Sequence, residues 1–426
     1  MNKRFFCGIM ALALFSCLFA QTSLNSPYSQ HGVGLLSDRS QGFSRGMNGA
    51  SLGLRQGNII NTLNPASYSS VDSLTMIIDM GVTGQMTRFK ETANGVSKTM
   101  NAKNASLDYA VASFRLRPNI GMALGILPFS NIGYKYTAST YLGKTDGTIT
   151  ETYSGNGGLH EAFIGVGWQV LKDLSVGANV SYLWGEMNKS VSSSSTTSIN
   201  SISRSYYAMV NSYKLDFGVQ WQKRLKNNDM LTVGATLGVG HKLGADAICN
   251  VTNVSNGEGK ADTISNGLSI PMTYGLGVAW THGSNLIVDA DFLLQSWGSV
   301  KFPGVGDDGV YALQDNIIKN RYQVNVGADF VPDPVSRKFI KRVHYRIGGG
   351  YATPYYNING KNGPKELSLS AGFGIPLQNS YNNRSVLNVS AQWARMSATG
   401  MITENIFRIN IGLTFNERWF AKWKIN

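Results

Sequence analysis

Between Ser73 and Phe415 the sequence repeats one device, a run of residues in which every second side chain is apolar. The last full run, Phe407-Arg-Ile-Asn-Ile-Gly-Leu-Thr-Phe415, sets Phe407, Ile409, Ile411, Leu413 and Phe415 against Arg408, Asn410, Gly412 and Thr414. A β-strand turns successive side chains to opposite faces, so each run carries one greasy face and one polar face. Leu231, Val233, Ala235, Leu237 and Val239 form another greasy face, as do Met272, Tyr274, Leu276, Val278 and Trp280, and Leu367, Leu369, Ala371, Phe373 and Ile375. No helical pattern accompanies these strands to cover them. Their cover is either a second sheet or lipid.

The spacing predicts about fourteen strands, near 74–90, 103–117, 119–143, 159–171, 173–190, 204–223, 229–246, 266–281, 285–300, 318–331, 341–352, 366–377, 385–397 and 404–416. Tight turns at Arg117-Pro118-Asn119, Leu171-Lys172-Asp173 and Thr281 to Asn285 alternate with polar segments near 144–158, 191–203, 247–265 and 301–317. A sandwich need not alternate short with long, whereas an outer-membrane barrel does. An even strand count returns both termini to the periplasmic side. Trp168, Trp184, Trp221, Trp280, Trp297 and Trp393 fall near strand ends, where an interfacial girdle would place them. The fold class expected is therefore an all-β transmembrane antiparallel barrel in a Gram-negative outer membrane, against lipid and lipopolysaccharide.

Composition agrees. Only 15% of the 426 residues are charged, with 48 glycines and 11% aromatics, which suits strands facing lipid outside and a crowded interior. The net charge of +13 comes from scattered residues with no basic stripe or recognition helix, so nucleic acid is not an expected partner. Lys3 and Arg4 precede the apolar stretch Phe5–Ala20, which reads as a signal peptide over 1–20, with a lipidated Cys17 as the competing reading. Cleavage leaves Cys249 as the sole cysteine, so no disulfide framework forms and Cys249 has no assigned role.

Residues 21–72 form a leader without strong periodicity, punctuated by glycines and carrying apolar anchors such as Phe43, Met47, Leu52, Leu54, Ile59 and Ile60. A barrel of about fourteen strands is wider than side chains alone can fill, so the leader is expected to plug the lumen. Barrel follows over 73–416, and 417–426 is an aromatic and basic tail suited to the inner leaflet surface. The stretch Ser44-Arg-Gly-Met-Asn-Gly-Ala50, then Gly53 to Gly57, then Asn64-Pro65-Ala66 resembles the hatch of the FadL family of outer-membrane transporters, and the leader-then-barrel order matches throughout the mature chain. The resemblance implies a hatch-plugged barrel that moves fatty acids or other hydrophobic small molecules, with Asn64, Pro65 and Ala66 as the hatch element.

One strand should be broken. Pro128 and the glycines of Gly125-Ile-Leu-Pro-Phe-Ser-Asn-Ile-Gly133 interrupt a ladder, so the third strand should bulge there. In the FadL family the third strand opens the wall beside the hatch, which implies a side opening shaped by Pro128, Phe129, Ser130 and Asn131, with Tyr134 in its lining. A plain bulge without ligand is the other reading. The five histidines have no metal-ligand spacing, and no nucleophile elbow, HExxH or phosphate loop occurs, so neither metal, cofactor nor enzyme is expected. Two main functions remain: transport of a hydrophobic ligand, or service as a secretion or assembly partner in the manner of PorV-type barrels. A diffusion porin is a third. Transport predicts a continuous apolar pocket, partnership a filled lumen with an exposed platform, and a porin a charged open constriction.

Overall fold

The computed structural model describes residues 26–93, 96–141, 147–195, 201–306, 308–377 and 385–418. The signal stretch, Cys7, Cys17 and the tail from Trp419 lie outside the described residues. Fourteen strands make the wall. They are β1 (Thr75–Ala93), β2 (Val96–Arg117), β3 (Ile120–Tyr141), β4 (Thr148–Leu171), β5 (Leu174–Ser195), β6 (Ile202–Arg224) and β7 (Asp229–Gly238). The circuit continues with β8 (Thr273–His282), β9 (Leu286–Gln295), β10 (Arg321–Phe330), β11 (His344–Ala352), β12 (Lys365–Leu377), β13 (Ser385–Ser397) and β14 (Thr403–Arg418). Neighbours pair antiparallel, and β1 pairs with β14 from Thr75–Arg418 to Lys90–Thr403, which closes the barrel.

The alternation decides which way each side chain faces. On β14, Phe407, Ile409 and Ile411 are 47%, 46% and 45% exposed on the outside, while Ile406, Asn410, Gly412 and Thr414 are buried inside. Outward aromatics gather at two levels: Trp168, Trp221, Phe330 and Phe373 near the short-turn rim, and Tyr182, Tyr213, Tyr322 and Phe407 higher up. Trp221 and Tyr213 on β6, like Phe330 and Tyr322 on β10, lie about eight residues apart, or roughly 20 Å at the usual rise and tilt. That is close to the apolar thickness a membrane barrel presents. Among the described residues no helix is long and apolar enough to cross a membrane.

The structure departs from the sequence reading at Trp297 and in three of the polar segments. Trp297, expected in the girdle, is 0% exposed. Strand β9 ends at Gln295 and a 3-10 turn (Trp297–Ser299) folds into the lumen, so the strand period no longer sets its direction. The polar segments near 144–158, 191–203 and 247–265 contain strand: β4 starts at Thr148, β5 reaches Ser195, β6 starts at Ile202, and Ala247–Asn253 pairs with both β6 and Gly259–Ile264. These hairpins stand above the membrane level, where neither face needs apolar cover. Ser and Thr occupy both faces, and the alternation becomes invisible.

Candidate functional site

Residues 26–72 lie inside the barrel and meet its wall through three kinds of contact. The first is a backbone seat. Asn64 caps the 3-10 helix Pro65–Ser70: its Oδ1 accepts from the Ala66 N–H at 3.2 Å, and its Nδ2 donates to Leu52 O at 2.9 Å and Val219 O at 3.3 Å. Below it runs a row of inward glycines in register, Gly121–Gly167–Gly177–Gly218 across β3 to β6. A Cβ at Gly177 would lie 2.4 Å from Pro65 C, and one at Gly218 would lie 2.2 Å from Asn64 Oδ1. Only bare backbone admits the Asn64-Pro65-Ala66 element at that depth.

The second contact is ionic. Arg39 reaches Glu161 on β4 at 2.6 Å and Asp216 on β6 at 3.5 Å, and Lys214 bridges the same two carboxylates. Arg45 pairs with Asp108 on β2 and donates to Thr83 at 2.8 Å and Asn410 at 3.1 Å. Asp291 on β9 accepts from the backbone N–H of Ser51 at 2.6 Å and Leu52 at 2.9 Å. Arg346 pairs with Asp329 at 3.0 Å, and its guanidinium lies 4.2 Å from the Phe43 ring centroid. Buried charges of this kind persist because each has an opposite charge or several donors.

The third contact lies at the broken strand. β2 and β3 pair only from Ala110–Ile126 to Arg117–Ile120. Beyond that point the wall parts, and β3 bulges between Pro128 and Ser130, leaving Phe129 out of register with β4. Pro128 stands opposite His160, which stands opposite Trp184, so the parting begins at the upper aromatic level. The chain's own N-terminal segment occupies it. Leu35 and Leu36 pair with Asn131 and Ser130, Ser37 N donates to Phe129 O at 3.0 Å, and Ser26 N donates to Gly133 O at 2.9 Å. Ser26 Oγ also reaches Glu404 on β14 at 2.7 Å.

Around this segment the upper lumen is packed. Phe129, Ile132, Tyr134, Leu159, Leu183, Trp297, Tyr355 and Tyr356 form one buried apolar cluster with Tyr28 and Val33. His31 stacks on Tyr356 with centroids 5.0 Å apart, and burial followed by the nearby Lys189 charge lowers its pKa to about 4. Beneath the cluster lies a cavity of about 530 Å³ whose lining includes Arg39, Lys214, Asp216, Arg321, Glu366 and Arg408. Its walls are mixed, because Leu35, Phe129, Ile132, Leu237, Ile270 and Trp297 line the same space as these charges.

Of the residues singled out from the sequence, Asn64, Pro65 and Ala66 sit together on the glycine seat. Pro128, Phe129 and Asn131 border the cavity, while Ser130 and Tyr134 are buried against the hatch segment and its cluster. Sequence reading missed the glycine row and the Arg39–Glu161–Lys214–Asp216 tether. Both left a signal: small or charged residues at inward positions of strands whose outward positions are apolar. Among the described residues no group of three or more potential metal ligands forms.

These features define a class, a hatch-bearing fourteen-stranded barrel of the FadL type. A Pseudomonas aeruginosa FadL homologue aligns with a TM-score of 0.64 at 13% identity, over 90% of this chain and 98% of that one. The Ralstonia pickettii toluene transporter TbuX aligns at 0.58 and 13%, over 90% and 98%, and the P. putida toluene transporter TodX at 0.58 and 15%, over 92% and 100%. At such identities the likeness is one of fold. The family is BamG: its model matches residues 1–426, and the chain belongs to it. The FadL resemblance read from the sequence thus holds for the fold, while the family carries another name. No curated protein matches the chain.

Proposed function

We propose that this barrel is a partner of a protein secretion or assembly machinery in the outer membrane, and that it holds its lumen shut while offering outer surfaces to other proteins. One observation carries the reading. The parting in the wall and the upper lumen are both filled by the chain's own residues, and the space that remains holds ion pairs among its apolar side chains. A hydrophobic solute would have to pass the Arg39–Asp216–Lys214 and Arg45–Asp108 charges set among those apolar side chains. Above the upper aromatic level β2, β4, β5 and β6 continue as polar hairpins, a raised platform of the kind a protein partner uses. In this reading both termini face the periplasm and the hairpins face outward.

Transport of hydrophobic small molecules is the second reading, and the parted wall at β3 favours it, because displacement of Leu35 and Leu36 would connect the cavity with the upper membrane interface. The solved toluene transporters share the fold. The two readings separate in a deletion strain, with surface-exposed proteins quantified by protease shaving and mass spectrometry, and uptake of radiolabelled oleate and toluene followed in parallel. Loss of surface proteins with normal uptake is expected. Slowed uptake with an unchanged surface proteome would transfer the function to transport.

A further inference from the structure

Among the described residues, one connection on the short-turn rim is long. Arg117 to Ile120, Leu171 to Leu174 and His282 to Leu286 turn within two or three residues, but β10 and β11 are joined by residues 331–343. This connection is ordered. Val331 N donates to Asn285 O at 2.7 Å, Asp333 N to Lys341 O at 2.9 Å, and Asn285 Nδ2 to Pro332 O at 2.8 Å. It also displays a cluster of apolar and basic side chains: Val335, Phe339 and Ile340 are 89%, 51% and 70% exposed, and Arg337, Lys338 and Lys341 are exposed beside them.

Its direction follows from Tyr345. On β11 Arg346 points inward to Asp329, so Tyr345 points outward, where it stands opposite Phe330 and packs edge-on against Phe373 at 5.8 Å. Phe330 and Phe373 belong to the lower aromatic level. The Tyr345 hydroxyl donates to Ile340 O at 3.1 Å, which ties the helical turn Phe339–Arg342 to the lipid-facing side of the rim. Apolar side chains that continue an aromatic girdle, flanked by cations, match the interface between acyl chains and phosphates.

We propose that residues 331–343 form an interfacial foot that sinks Phe339 and Ile340 into the bilayer surface and binds acidic phospholipid head groups through Arg337, Lys338 and Lys341. This inference is independent of whether the barrel serves proteins or small molecules. The foot fixes the depth and rotation of one sector of the barrel and gathers anionic lipid beneath β10 and β11.

The test uses the full mature chain carrying Cys249→Ser and Ile340→Cys, labelled with bimane and reconstituted in vesicles. Lipids brominated high on the acyl chain report contact by quenching. Brominated phosphatidylcholine is expected to quench the label. Brominated phosphatidylglycerol should compete for the site with about fivefold preference for each cation engaged. Replacing Arg337, Lys338 and Lys341 with Gln should erase that preference and leave quenching by phosphatidylcholine in place. Heat-modifiable migration on gels confirms that each variant is a closed barrel. A label blind to both lipids would place the foot in water and overturn the proposal. Equal quenching by both lipids in the parent would overturn its head-group half.

Discussion

Substituting Gly177 with Ala should unseat the hatch. The added Cβ would lie 2.4 Å from Pro65 C and 2.5 Å from Ala66 N, where ordinary contact is 3.4–4 Å. Both atoms are backbone, so no rotamer change relieves the overlap, and the Pro65–Ser70 helix must lift by about 1 Å. Overpacking of this size costs about 1–3 kcal/mol. The lift also strains the 3.3 Å bond from Asn64 to Val219 O. Gly84→Ala is the matched control, since it lies in β1 with nothing within 4 Å of the new methyl and shares any backbone-entropy benefit of replacing glycine. In urea unfolding of vesicle-reconstituted protein, Gly177→Ala should fall below Gly84→Ala by about 1 M in midpoint. It should also show ion conductance in planar bilayers where the control is silent. Equal midpoints and equal silence in the two variants would refute the seat.

Arg39→Met leaves Glu161 and Asp216 with Lys214 alone and should destabilise the barrel by about 3–5 kcal/mol, with much of the loss recovered by adding Glu161→Gln, as urea midpoints would report. Because the pKa of His31 is lowered to about 4, its neutral form holds the N-terminal segment in place. That stabilisation is complete above the unfolded value near 6.5 and is lost as pH falls toward 4, up to about 3 kcal/mol, so His31→Gln should flatten the decline in urea midpoint over this window. Deleting residues 26–37 should leave a closed barrel whose parted wall admits ions, read as conductance that the intact chain lacks. An unchanged silent bilayer would mean that other residues seal the gap.

The wall was legible because lipid demands an apolar side chain at every outward position, and that demand writes a period of two into the chain. Where strands rise out of the membrane the demand lapses, which is why Val191–Ser195 and Ala247–Asn253 read as loops. Pro128 and its glycines announced the bulge in β3 because proline removes a ladder donor whatever its surroundings. What filled the parting was not legible. Leu35 and Leu36 show no pattern of their own, and their partners lie about a hundred residues onward. The hatch tethers were hidden for the same reason: Arg45 meets Asp108 and Asn410, and no local rule links those positions. Asn64-Pro65-Ala66 pointed to the hatch, while the complementary glycines became meaningful only once four strands were aligned.

The bonds from Ser26 to Glu404 and from Arg45 to Asn410 join the plug to the final strand. The seam between β1 and β14 is therefore fastened by the plug as well as by its own ladder. A barrel lacking its last strand would lack both fastenings. Seam and plug are thus coupled, so a change that loosens one should loosen the other.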